Sequence, residues 1–182
     1  MAQAQSAWET IGSTVASEFS DIPDLEQFTR VVVRLLLAAL LGGILGFERE
    51  RSGKAAGVRT HMLVSMGAAL FVLVPIQAGI VAADLSRVIQ GVIAGIGFLC
   101  AGSILKSDNT DQVRGLTTAA GIWLTAAVGM AAGVGRETTA VLSTLLALAI
   151  LSLEGPIRRL MDRTPPAVIA AADAAPQDKP HQ

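Results

Sequence analysis

Four stretches of this sequence carry no charged side chain, and each is close to the length of a helix that crosses a membrane. They are residues 62–83, 88–105, 115–135 and 138–153, and a fifth apolar stretch, 35–47, extends back past Arg34 to Phe28. A helix rises about 1.5 Å per residue, so about 20 mostly apolar residues cross a hydrocarbon core about 30 Å thick. The pattern therefore predicts an integral membrane protein.

Residue composition favours a membrane protein over a soluble helical bundle. Hydrophobic residues make up 52% of the chain and charged residues only 16%, whereas a soluble domain has roughly 25% charged residues. Soluble helices need a polar face, yet residues 88–105 offer only Gln90 and Ser103 as polar side chains. We therefore predict an all-α, polytopic transmembrane helical bundle with five spans, at about 29–47, 62–83, 88–105, 116–134 and 138–153.

Lysine and arginine are concentrated in alternate loops, which orients the predicted spans. The basic loops follow the first, third and fifth spans, and the other two loops hold one basic residue each. Because basic loops stay in the cytoplasm, the N-terminus is predicted outside and the C-terminus inside. The first segment reaches spanning length only if Arg34 snorkels to the interface or pairs.

The two ends of the chain differ from the transmembrane domain at 29–155. Residues 1–28 are acidic, and Trp8, Ile11, Val15 and Phe19 recur at helical spacing. This predicts either an amphipathic helix on the outer interface or a disordered arm. Residues 156–182 are rich in alanine and proline and predict a flexible cytoplasmic tail.

Glycine spacing predicts how the spans pack. Gly91 and Gly95 lie four apart, with Gly97 on an adjacent stripe, and Gly129 and Gly133 repeat the spacing in the fourth span. Helices in lipid associate through close backbone approach at small residues. We therefore predict that the third and fourth spans are neighbours through these glycines, although the same residues would equally suit a homo-oligomer face.

Four long strings carry a specific resemblance. GFERE, AGVRTHMLVSMGAALF, RVIQGVIAGIGFLCAGSIL and VRGLTTAAGIWLTAAVGMAAG are similar to the MgtC/SapB family of bacterial membrane proteins, in the expected order over residues 35–153. The chain departs from that pattern at Cys100, where the family usually has glycine. It also shows a short tail where some relatives add a soluble domain.

The resemblance implies a protein of the bacterial inner membrane, associated with survival at low magnesium and with virulence. Relatives are thought to restrain the membrane ATP synthase, whereas older descriptions name a magnesium transporter. The residues favour a regulatory protein acting through a membrane partner, because Mg²⁺ requires oxygen ligands and no acidic residue lies within a span. Glu48 and Asp84 belong to opposite membrane edges, so we predict no metal site and no cofactor. A cation transporter or transport accessory protein is the alternative, and a structural, lipid-binding bundle is the third reading; no nucleic-acid partner is predicted.

Polar residues concentrate at the predicted cytoplasmic surface. The candidate residues there are Glu48, Arg49, Arg59, Thr60, His61, Arg114, Thr117 and Thr118. The favoured interpretation is a structural ion-pair network joining Glu48 to Arg59 or Arg114. The alternatives are a partner-binding or anion-binding surface at the helix N-terminus of residues 115–118, and a pH sensor at His61.

At the predicted outer turn, Asp84 and Arg87 lie three residues apart. They predict a local pair or a helix cap, with Ser86 as the competing cap; an external cation or partner contact is the functional alternative. Catalysis is not predicted, because no intramembrane aspartate pair is present and Ser103 has no base nearby in the sequence. His61 and Ser65 share a helical face, but nothing suggests an oxyanion donor.

Overall fold

The computed structural model describes residues 6–20, 24–105, 115–153 and 155. Within these residues the only regular elements are α-helices, which confirms the all-α part of the predicted fold class. They are α1 (Ala7–Glu18), α2 (Leu25–Arg51), α3 (Val58–Gln77), α4 (Ala82–Leu105), α5 (Leu116–Val134) and α6 (Glu137–Ser152).

Four of these helices are long and apolar enough to cross a membrane: α2, α3, α4 and α5. α6 is apolar but has only 16 residues. The second predicted span is too long, because α3 ends at Gln77 with Ala78 as its C-cap, and Gly79 then adopts a left-handed φ of 76°. Residues 82 and 83 already belong to α4, which therefore begins before the predicted limit of the third span.

The core is built from α2, α3 and α5, with α3 packed against both of the others. Gly42 and Gly46 make the contact between α2 and α3 possible. A Cβ at Gly42 would lie 2.6 Å from the carbonyl oxygen of His61, and one at Gly46 would lie 2.7 Å from the Cα of Val58. Each of these distances is too short for a side chain, so only glycine lets the two backbones approach this closely.

Gly129 and Gly133 form the matching contact between α5 and α3. A Cβ at Gly129 would meet the backbone of Ser65, 2.7 Å from its carbonyl carbon, and one at Gly133 would lie 2.8 Å from the Cα of Ala69. α3 therefore lies between two glycine faces, one on α2 and one on α5. The core around it is filled by small and branched side chains, of which Ala38, Ala69, Val72 and Ala132 are fully buried.

This arrangement corrects the prediction that α4 packs through its glycines. A Cβ at Gly91, Gly95 or Gly97 would meet nothing within 4 Å among the described residues. Gly129 and Gly133, expected to face α4, face α3 instead. The glycine spacing on α5 does mark a close-packed face, but spacing alone does not specify which neighbouring helix that face meets.

α4 does contact α5, at its C-terminal end. Cys100 is buried there, and its Sγ–H donates a hydrogen bond to the carbonyl oxygen of Ala119 at 3.2 Å. A small apolar cluster surrounds this contact and includes Ala56, Cys100, Ala119 and Ile122. The cysteine that departs from the family pattern is thus a packing residue between the two helices.

The chain divides into two compact units, Met1–Thr144 and Leu145–Gln182. The described part of the second unit is essentially the last half of α6. In the first unit, α1 begins with a capping box in which Ser6 and Glu9 each accept the other's backbone N–H. α1 packs against no other described helix, and its stripe of Trp8, Ile11, Val15 and Phe19 is exposed.

Candidate functional site

The candidate site lies where the α2–α3 connection meets the core. α2 ends at Arg51 with Ser52 as its C-cap, and Gly53 then takes a left-handed φ of 67° that reverses the chain. The carboxylate of Glu50 accepts the backbone N–H of Val58 at 2.9 Å, at the start of α3. Because this carboxylate satisfies a donor that the helix leaves open, the two helices are joined as a hairpin.

Arg49 and His61 are both fully buried at this end of the bundle. The Nε of Arg49 lies 3.2 Å from Oε2 of Glu48. The other carboxylate oxygen of Glu48 accepts a hydrogen bond from the Ser52 hydroxyl at 2.9 Å. One Glu48 oxygen is therefore hydrogen-bonded by the C-cap, and the other lies in ion-pair contact with Arg49 without a hydrogen bond to a described residue.

His61 points from α3 towards α5. Its Nδ1 lies 2.9 Å from the carbonyl oxygen of Gly57, and because a carbonyl only accepts, this contact requires a proton on Nδ1. Nε2 faces Gly121, where a Cβ would lie 3.6 Å from Nε2 and 3.7 Å from Cδ of Arg49. The side chains of Arg49 and His61 thus border the same position of α5, and three helices meet at this point.

Ser65, one turn further along α3, is also fully buried. Its backbone is the surface against which Gly129 packs, and its Cβ lies close to Gly42. Neither the Ser65 hydroxyl nor His61 Nε2 has a hydrogen-bond partner among the described residues. Two buried polar groups without described partners are costly for stability, so this face of α3 is a candidate for function.

The structure corrects the predicted ion-pair network. Glu48 pairs with Arg49, its neighbour in the sequence, and Arg59 is exposed on the first turn of α3. Arg59 makes no ion pair with Glu48 in the described part of the chain. Arg114, the other predicted partner, lies outside the described residues.

The predicted threonines take different environments. Thr118 is buried at the start of α5, Thr117 beside it is exposed, and Thr60 is half-buried on α3. Thr60 and Thr118 line the same cavity, whereas Thr117 does not.

The outer turn agrees in part with its prediction. Arg87 NH1 lies 4.0 Å from Oδ1 of Asp84, both side chains being exposed. α4 begins at Ala82, so neither Asp84 nor Ser86 is its N-cap, and the Ser86 hydroxyl instead donates to the carbonyl of Ala83 at 2.6 Å. The capping alternative is therefore wrong, because the helix starts earlier than its polar residues suggested.

Arg34 occupies the far end of the core and pairs rather than extending to solvent. Its NH1 donates to the carbonyl oxygen of Gly133 at 3.2 Å, and its Nε lies 3.6 Å from Glu137 Oε1. The guanidinium fills the space beside Gly135, which has a left-handed φ of 88° and ends α5. Arg34 thereby ties α2 to the turn between α5 and α6, a link that the sequence did not reveal.

No cluster of three or more histidine, cysteine, aspartate or glutamate side chains that could hold a metal ion occurs among the described residues. The charges buried most deeply in those residues are arginines. The site as described is basic and hydrogen-bonding, and it offers no group of carboxylates to a divalent cation.

Long apolar helices around a glycine-packed core define an integral helical membrane protein. The family model of the MgtC family matches residues 35–160. The chain belongs to the MgtC family.

Three relatives illustrate the similarity. The chain is 49% identical to Protein SrpB of Synechococcus elongatus over 130 residues, 65% of this chain and 71% of that protein. It is 40% identical to a protein of Escherichia coli strain K12 named "Putative magnesium transporter YhiD", over 67% of this chain and 59% of that protein. It is 42% identical to Protein MgtC of Brucella abortus, over 69% of this chain.

The matched region spans only 51% of the length of the Brucella protein. The similarity therefore covers about half of the Brucella protein and not its whole length. No solved structure matches the chain.

Proposed function

We propose that this protein is a regulatory membrane protein that acts through contact with a membrane protein partner and has no catalytic activity of its own. The observation that carries the proposal is the character of the core. Among the described residues its charges are the fully buried Arg49 and the half-buried Arg34, and the rest of the α2–α3–α5 contact is filled by glycine and small side chains. Such a core is suited to holding a rigid surface and unsuited to conducting a cation.

The positions of the carboxylates support regulation over transport. Mg²⁺ prefers oxygen ligands and gives up its waters reluctantly. Glu48 is engaged by Arg49 and Ser52, and Asp84 lies beyond the opposite end of α3. α3 has 20 residues, so it separates the two carboxylates by about 30 Å, and they cannot share one ion.

The outer face of α2 is a surface on which a partner helix can dock. Leu36, Leu40, Ile44 and Phe47 are exposed and lie along one side of the helix. We propose that the protein lies in the bacterial inner membrane, where this stripe faces lipid or a partner. The family resemblance implies the membrane ATP synthase as that partner, and its relation to virulence and to growth in low magnesium follows from the same resemblance.

Photo-crosslinking tests the partner directly. A photoreactive residue placed at Leu36, Leu40 or Phe47 in cells grown in low magnesium is expected to trap one membrane protein, identified by mass spectrometry. Leu63 and Leu70 on α3, which are also exposed and apolar, are the control positions for the α2 variants. Crosslinks only to lipid and to copies of this chain, from variants that still support growth, would refute a partner on this face.

Transport of magnesium is the second candidate function. It is favoured by the name given to the E. coli relative, which describes a magnesium transporter. It requires carboxylates that meet within the membrane, and the described residues place Glu48 and Asp84 apart.

We further propose five spans, with the N-terminus outside and the C-terminus inside. The distribution of basic loops supports this topology, and α6 is then the shortest span, of about 24 Å. In a Cys100→Ser background, Ser52→Cys is expected to resist an impermeant thiol reagent added to intact cells, whereas Ala83→Cys is expected to react. Both positions are exposed in the structure. Labelling of position 52 by reagent added outside would contradict this orientation and support the opposite one.

A further inference from the structure

A cavity of about 880 Å³ opens between the α2–α3 connection, the C-terminal half of α4 and the start of α5. Its lining includes the apolar side chains Phe98, Leu99 and Ile122 and the polar residues Lys54, Thr60 and Thr118. The cavity is therefore amphipathic, and it lies at the end of the spans where they meet the membrane boundary.

Hydrogen-bond donors collect at the polar end of this cavity. Thr118 is only 5% exposed and lines the cavity, and its hydroxyl has no hydrogen bond to a described residue. Gly115, the left-handed N-cap of α5, provides no side-chain cap, so the first-turn amides of the helix are left to other acceptors. Lys54, which also lines the cavity, has a positively charged side chain. These groups suit a phosphate.

A second, apolar groove of about 540 Å³ lies between α3 and α4. Its walls include Leu63 and Phe71 on α3 and Val88 on α4, and its floor is formed by Gly91 and Gly95, where a Cβ would meet nothing within 4 Å. The volume falls in the range of about 300–1,000 Å³ found for small-molecule sites. The glycines of α4 therefore line an open groove.

The groove continues the cavity along the same pair of helices. On α3 the cavity ends at Thr60 and the groove begins at Leu63, and on α4 the cavity ends at Phe98 and the groove begins at Ile96. The groove then follows about eight residues of each helix, or about 12 Å. The cavity and the groove, together called the seam below, are thus adjacent along α3 and α4.

We propose that this seam binds one anionic phospholipid, with its phosphate at Thr118 and the start of α5 and one acyl chain in the α3–α4 groove. A free phosphate would leave the groove open, and an uncharged lipid would leave the polar donors unused. The lipid satisfies both ends, and it is supplied by the bilayer in which these helices lie. This inference is independent of the proposed regulatory role.

The test uses the purified full chain in detergent, with native mass spectrometry and thermal unfolding as readouts. Phosphatidylglycerol is expected to bind with one molecule per chain and to raise the unfolding temperature. Diacylglycerol, which has the same acyl chains and no phosphate, is expected to bind at least about tenfold more weakly, and inorganic phosphate to give no protection. Equal effects of the two lipids would reduce the site to non-specific apolar solvation, and protection by inorganic phosphate would reduce it to a free-anion site; either result overturns the proposal.

A matched pair of glycine variants tests the groove. Gly95→Leu fills it, whereas Gly97→Leu places the same side chain on α4 outside it, and both positions are sterically open, so both variants are expected to fold. Displacing two methylenes corresponds to about a tenfold loss of affinity, so Gly95→Leu is expected to weaken phosphatidylglycerol binding by at least that factor. Thr118→Val is expected to reduce the preference for the anionic lipid. Equal binding by the two leucine variants would exclude the groove.

Discussion

Gly129→Ala is expected to prevent stable folding, although it adds a single methyl group. That methyl would lie 2.7 Å from the carbonyl carbon of Ser65, on the backbone of α3. Backbone cannot move aside as a flexible side chain does, so α5 and α3 must separate and lose contact along the whole interface. Overpacking typically costs 1–3 kcal/mol, and we expect the upper end, about 3 kcal/mol, here. This loss of stability is measured as a lower yield of monodisperse protein and a lower aggregation temperature in detergent.

Gly97→Ala is the control for this prediction. The substitution is identical and also lies within a candidate span, but a Cβ at position 97 meets nothing within 4 Å. It is expected to match the unmodified protein in both measurements. Equal stability of the two variants would mean that α3 and α5 do not pack through Gly129.

Arg49→Met is expected to have the second large effect. Arg49 is fully buried, and its Nε lies 3.2 Å from the partly buried carboxylate of Glu48. Removing one member of such a pair leaves the other charge without compensation, and this typically costs about 3–5 kcal/mol. The loss is measured as a lower unfolding temperature in detergent, and Arg49→Lys is expected to lose less because it retains the charge.

The double variant Glu48→Gln with Arg49→Met separates charge from packing. Glutamine keeps an oxygen for the Ser52 hydroxyl but carries no charge. The double variant is therefore expected to be more stable than the sum of the two single effects indicates. If the stability losses of the two single variants simply add in the double variant, the Glu48 carboxylate is not stabilised by Arg49.

The sequence predicted the apolar helices but not which faces meet. Gly91 with Gly95 and Gly129 with Gly133 have identical spacing, and only the second pair packs against another helix. Gly42 and Gly46 share this spacing and form the contact between α2 and α3, a contact that the sequence analysis does not predict. Spacing shows that a helix face permits close approach; the partner depends on how the helices are arranged in three dimensions.

The charged residues show the same limit. Arg49 follows the apolar run directly, so its position in the sequence suggested a membrane edge. α2 continues to Arg51, however, and this extra turn directs Arg49 into the core beside His61. A helix boundary displaced by one turn is enough to exchange a surface charge for a buried one. The pairing of Glu48 with Arg49, in place of Arg59, follows from the same displacement.

Magnesium flux through the purified protein tests the central claim most directly. The chain is reconstituted alone into liposomes that contain a magnesium-sensitive dye, and re-extraction as monodisperse protein shows that it remains folded. With a millimolar gradient of Mg²⁺ across the membrane, we predict uptake no faster than in protein-free vesicles. Saturable, ion-selective uptake that depends on the amount of protein would contradict the account and establish a transporter.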